Sequence, residues 1–201
     1  MEIKEEIKKL IATVAILIKH KNYWKTHIID ELPDFALYRL GDIISTKEVH
    51  DTPEEPFKNY ENWMTIIKEA EYLHSISNYT IPGVAKVIAE KFFESAPMEI
   101  VVSRQVAQKL SEEPYIRFMK DLGKFPHVQV YVSDIPRSVS FTITDKCFTI
   151  KFSMKNPDYF DTSSGLVSRS EEAREWGERL LQHYKSDAVP LPEYYKQQLN
   201  E

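Results

Sequence analysis

Glycine is scarce in this chain, five in 201 residues. That excludes collagen-like and glycine-rich repeat architectures. It also leaves little from which to build a phosphate-cradling loop, and neither GxGxxG nor GxxxxGK[ST] occurs. There is one cysteine, Cys147, so no intrachain disulfide can form and a reducing cytoplasm is the expected compartment. Long apolar runs are missing too. The run at residues 10–18 has charge on both sides and no small-residue cleavage site behind it. It is too short for a membrane span of about 20 residues and has the wrong rear flank for a signal peptide. An excess of positive charge is also lacking: 26 Lys and Arg stand against 31 Asp and Glu, a net charge of −5. A general nucleic-acid binder needs the opposite balance to neutralise phosphates. No GxSxG elbow and no HExxH occurs, and the six histidines are scattered without a cysteine at zinc spacing. No catalytic set, no metal and no cofactor is therefore expected. Cys147, opening a strand, reads as a small buried hydrophobe.

What is present is ample material for a core: 42% apolar, 12% aromatic and 28% charged residues, in a length that favours one domain. Residues 1–24 read as a helix. Ile3, Ile7, Leu10, Val14 and Leu17 form a seam at alternating spacings of four and three, and Ile7, Ile11, Ala15 and Ile18 run beside it. Two apolar stripes imply two neighbours, the chain's own domain and a partner subunit, so a homodimer through this helix is expected. Further on, the pattern predicts a short helix between Pro33 and Gly41, a strand at 43–49, a helix at 57–72 and a strand at 73–77. A helix at 81–95 opened by Pro82 follows, then a strand at 98–103 and one or two helices at 104–122 broken near Pro114. Three strands at 127–133, 139–144 and 147–153 come next, the last two joined by the turn Asp145-Lys146. A polar loop at 155–165 leads to a last helix at 170–184 capped by Ser170. The expected architecture is α/β: an open sheet, parallel in its first half with a C-terminal hairpin at its later edge, helices on both faces, and a long N-terminal helix ahead. The expected division is 1–24 as linker and dimerisation helix, 25–185 as the α/β domain and 186–201 as a loosely held tail.

One near-motif is visible. His127-x-Gln129 followed by Asp134 has the spacing of the phospholipase D signature HxKx4D. Glutamine cannot supply the phosphate-holding charge of the lysine, and coincidence explains the match better.

The run FTITD at 141–145, FTIKF at 148–152, YFDTSSGLVS at 159–168 and EEAREWGERLLQHY at 171–184 resembles the effector domain of the archaeal methanogenesis-regulatory, FilR-type winged-helix regulators. The pair Trp24-x-x-His27, then Pro33, Leu37-x-x-Leu40-Gly41 and the strand-helix-strand of 73–103 fit as well, so the likeness covers nearly all of 20–185. It implies a phospholipase-D-like half-fold, shared with TrmB-type sugar-sensing regulators. It also implies that Ser138-x-Ser140 followed by Asp145 is the degenerate catalytic position. Two serines cannot form a phosphohistidine, so no enzyme activity is expected. Such regulators carry a winged helix ahead of this domain, and only one helix precedes Trp24. The expectation is a domain that touches DNA only through a winged helix absent from this chain.

The function that follows is ligand sensing and dimerisation in an archaeal transcriptional regulator, in the cytoplasm and away from membranes. A small effector would bind beyond the C-terminal ends of the strands, against Ser77, Asn78, Ser103, Arg104, Ser138, Ser140 and Ser163. There the hydroxyls and amide offer neutral hydrogen bonds and Arg104 an anion clamp. Loop or helix capping is the plain alternative for each of them. A phosphodiesterase relic and a ligand-free interaction module are the competing functions.

Overall fold

The computed structural model describes residues 2–80, 87–88, 90–91, 95–113, 115–116, 119, 122–136, 138–155 and 160–198. Most of the helix expected at 81–95, with Pro82, and the break at Pro114 lie outside them. The described strands make one sheet. Its members are β1 (Lys47–His50), β2 (Leu73–Ser77), β3 (Met98–Ser103), β4 (Val128–Ser133), β5 (Val139–Ile143), β6 (Phe148–Phe152), β7 (Ser164–Ser168) and β8 (Val189–Pro190). Their order across the sheet is β1-β7-β6-β5-β2-β3-β4-β8. β2, β3 and β4 are parallel, and all other pairings are antiparallel.

The strands from β2 to β6 stand where the alternating pattern puts them. The β5–β6 hairpin, however, is not an edge. Residues 164–168, whose first two were expected to end a polar loop, form β7 on its outer side, and β1 closes that flank. The serines and glycine of SSGLVS hide a strand whose one large core residue is Leu166, fully buried. At residues 40–43, where a strand was expected to begin, the backbone turns as a short 3-10 helix instead, and β1 starts at Lys47. The tail is not loose either. β8 pairs with β4, and Leu191–Gln198 forms a helix whose Leu191 is buried and whose Tyr195 donates to the carbonyl of Ala107 at 2.7 Å. Pro190 and Pro192 sit at a sheet edge and in the first helical turn, two positions that tolerate proline.

Side chains alternate across a strand, and both faces of this sheet are covered. The first face carries Ile76, Val101, Val139, Phe141, Ile143, Phe148, Ile150, Phe152 and Leu166. Against it pack α1 (Glu2–Lys19), α2 (Lys21–Thr26), α3 (Asp34–Tyr38) and the Glu171–Lys185 helix. Gly177 in that last helix lets it come close: a Cβ there would lie 2.7 Å from the Phe148 ring. Ser170 caps it, accepting from the Ala173 N–H at 3.2 Å. The second face carries Leu73, Met98, Ile100, Val102, Val128, Val130 and Val132 beneath α4 (Lys58–Lys68), α5 (Arg104–Leu110) and α6 (Leu191–Gln198).

α1 is seated by a face that neither apolar stripe marks. Ile16 is fully buried. The Trp24 indole donates to the Ile16 carbonyl at 3.1 Å, and the Gly41 N–H donates to Thr13 Oγ1 at 3.2 Å. A Cβ on Gly41 would stand 2.5 Å from that of Ala12. Ile3, Ile7, Leu10, Ile11, Val14, Leu17 and Ile18 all remain exposed, from 38% to 77%. No helix among the described residues is long and apolar enough to cross a membrane.

Candidate ligand-binding site

The second face of the sheet divides in two. On β3 and β4 it is aliphatic. On β2, β5 and β6 it carries Ser75, Ser77, Ser140, Thr142, Thr149 and Lys151. Register explains the grouping. Thr142 stands opposite Thr149 and beside Ser75, while Ser140 stands opposite Lys151. One row across the sheet reads Thr149, Thr142, Ser75, Ile100, Val130, passing from polar to apolar at the β2–β3 boundary. A cavity of about 130 Å³ lies over that boundary. Trp63 and Ile67 of α4, Val106 and Leu110 of α5, and Tyr79, Ile88, Tyr115 and Met119 wall it.

Part of the polar floor is already engaged. Ser75 donates to the Phe141 carbonyl at 2.8 Å, the Trp63 indole donates to Thr142 Oγ1 at 3.2 Å, and Ser140 Oγ accepts from the Asn78 N–H at 3.1 Å. Lys151 is different. It is 5% exposed, and its one hydrogen bond among the described residues, to the Thr162 carbonyl, is long at 3.5 Å. Its stem crosses β7 where only glycine leaves room, 3.1 Å from the Cβ position of Gly165. Burial pulls its ammonium down to about 8, although Asp161 and Asp51 act to hold the charge.

The residues singled out from sequence separate. Ser77 and Ser140 line the cavity. Asn78 adjoins Ser140 and donates to the carbonyls of Pro136 and Val139. Ser138 is buried, its carbonyl accepting from the Ser153 N–H at 2.7 Å. Ser103 caps α5, accepting from the Val106 N–H at 3.3 Å. Arg104 makes a two-pronged contact with Asp134 at 2.7 and 3.1 Å on the open surface. Ser163 serves Asp161, donating its N–H at 2.8 Å and its hydroxyl at 2.6 Å. Ser77, Asn78 and Ser140 thus come together at the cavity, and the other four do not line it. Trp63, Thr142, Thr149 and Lys151 line it and were missed. For Thr142, Thr149 and Lys151 the signal was the polar alternation in FTITD and FTIKF, which reads as a solvent face until a helix layer is known to cover it.

Two further clusters matter. His127 and Asp134 flank β4 at opposite ends, about 20 Å apart at strand rise, so the HxQx4D spacing assembles no common site. His27 and Asp161 form a buried pair, Nε2 to Oδ2 at 3.0 Å, with the Tyr23 ring stacked 3.7 Å from the imidazole. Burial alone would raise Asp161, but hydrogen bonds from His27, Ser163 and Ser164 outweigh it and hold the carboxyl well below the usual range. The pair ties the entry of the chain into the domain to the start of β7. Among the described residues no group of three or more His, Cys, Asp or Glu is placed to hold a metal ion.

One open mixed sheet covered by helices on both faces, with a cavity beneath one helix layer, is a phospholipase-D-like fold. Residues 56–187 match the family described as "Methanogenesis regulatory protein FilR1, middle domain", and the chain belongs to that family. No curated protein matches it in sequence. Among solved structures it is similar to TrmBL2, an archaeal chromatin protein described with a novel mode of DNA binding. That likeness has a TM-score of 0.55 at 11% identity over 72% of this chain and 54% of that one. NucT from Helicobacter pylori is similar with a TM-score of 0.53 at 13% identity over 72% of this chain and 98% of that one. Phosphatidylserine synthase of Haemophilus influenzae Rd KW20 gives 0.52 at 11% identity over 72% of this chain and 39% of that one. At such identities the likenesses speak for the fold. The match spans about half the length of TrmBL2.

Proposed function

We propose that this chain is the ligand-sensing and dimerising part of an archaeal transcriptional regulator, acting in the cytoplasm. The observation that carries the proposal is the cavity between the second sheet face and α4 and α5, walled by apolar side chains and floored by a few hydroxyls and one amine, which is the make-up of a small-molecule site. The site lies on the face of the sheet, with Ser77 and Ser140 at its margin. The exposed apolar stripes of α1 are the proposed seam with a second copy, since seven large apolar side chains on one 18-residue helix are more than a solvated helix carries. An effector that favours one arrangement of α4 and α5 shifts the population toward it, and α1 is the segment through which that shift reaches a DNA reader. Catalysis is not part of the proposal. Ser138 and Ser140 supply no nucleophile–cation pair on β5, and His127 and Asp134 stand apart.

The test is a mass comparison, native against denaturing. The expected result is a dimer, with any excess mass lost on denaturation being the effector. Ile7→Glu, Leu10→Glu and Val14→Glu together are expected to give a monomer with an unchanged far-UV spectrum. A wild-type chain that is monomeric at all concentrations would overturn the dimer.

A further inference from the structure

Lys151 is a buried amine with most of its hydrogen-bonding capacity unspent. An ammonium has three donors. Among the described residues its one hydrogen bond is to Thr162, and no carboxylate pairs with it. Opposite it in the β5–β6 register the Ser140 hydroxyl accepts from Asn78, leaving its own proton to donate, and the Thr149 hydroxyl makes no hydrogen bond among the described residues. Three side chains with donors to spare, Lys151, Ser140 and Thr149, therefore line the polar end of the cavity, while the other end is aliphatic.

From this asymmetry we infer that the cavity takes a small amphipathic monocarboxylate. Its carboxylate lies over Lys151, Ser140 and Thr149, and its apolar body lies over Ile100 and Val130 beneath Leu110. The inference rests on the cavity being a ligand site and names what fills it. Size limits the body: 130 Å³ is close to the roughly 150 Å³ cavity that holds one benzene, so a short alkyl chain or a single ring fits. Charge limits the head. A carboxylate accepts from all three donors and gives the buried ammonium its missing partner. A dianion such as a phosphate monoester would meet one cation only, with the charges of Asp161 and Asp51 close enough to act on it. A cationic head would face donors with nothing to donate to.

The test uses the full chain and three probes of one shape: hexanoate, hexanol and hexylamine, read by thermal shift and by the fluorescence of Trp63. Hexanoate is expected to bind at least tenfold more tightly than hexanol, and hexylamine least of all. In Lys151→Met, which keeps the stem and removes the charge, hexanoate should lose tenfold or more while hexanol holds its affinity. Lys151→Gln serves as the second variant, with the far-UV spectrum as the check on folding. Hexanol binding as tightly as hexanoate would overturn the carboxylate and leave the cavity reading in place. No binding by any probe would overturn both.

Discussion

The two faces of the sheet are made from the same strands and reach different ends. On β5 and β6 the odd members Phe141, Ile143 and the even members Phe148, Ile150, Phe152 build a closed aromatic core with Trp176, whose ring lies 5.8 Å from that of Phe148. Their neighbours Ser140, Thr142, Thr149 and Lys151 are as buried, yet polar, and the layer above them is hollow. Close packing maximises stability and leaves no room. A polar, under-filled layer costs stability and keeps a volume into which something can bind. The first face holds the fold, and the second keeps the volume in which the proposed effector would sit.

That contrast can be broken from the first face. Trp176→Ala removes the largest fully buried side chain and its bond to the Ala36 carbonyl. It is expected to cost about 3–5 kcal/mol, measured as a drop in the denaturant midpoint at constant slope. Asp161→Asn is expected to cost about 1–3 kcal/mol by turning one of the two oxygens that accept from His27, Ser163 and Ser164 into a donor. Because the folded carboxyl titrates below its unfolded value near about 3.9, its stabilisation is present above that pH and is lost as pH falls through the acid range. The variant's stability should therefore depend less steeply on pH in acid melts.

The second face should respond in the opposite sense. Lys151→Met relieves a buried ammonium and is expected to stabilise the protein by about 1 kcal/mol at neutral pH. In the wild type the amine is at about 8 when folded and about 10.4 when unfolded. The unfolded chain holds the proton between those values, so stability rises with pH across that window. Melts from pH 7 to 10 should show that rise in the wild type and not in the variant. The smallest effect is expected from Thr149→Val, within about 1 kcal/mol either way, because no hydrogen bond is lost.

How much of this the sequence discloses depends on whether a residue's role is local. β2 to β6 are legible because alternation and β-branched runs are local signals, and so are the Ser103 and Ser170 caps. β7 is not, because Ser163, Ser164 and Gly165 read as a turn and only pairing with β6 makes them a strand. The seat of α1 is hidden for a related reason. Ala12, Thr13 and Gly41 dock by being small, so the pattern of large residues marks the face left open rather than the face that packs. The cavity is least legible: Ser140 meets Lys151, and Thr142 meets Thr149, only through the hairpin's register.

The contact between Gly41 and Ala12 has a mechanical consequence. With no clearance between them, α1 cannot slide against the body, but it can pivot there. Ile3 lies nine residues from that fulcrum, about 13 Å at 1.5 Å per residue. A tilt of about 10° moves the tip by about 2 Å, a shift that any surface packed on the exposed stripes would feel. The helix is a lever whose short arm is held in the domain and whose long arm is steadied where Tyr38 donates to Glu6.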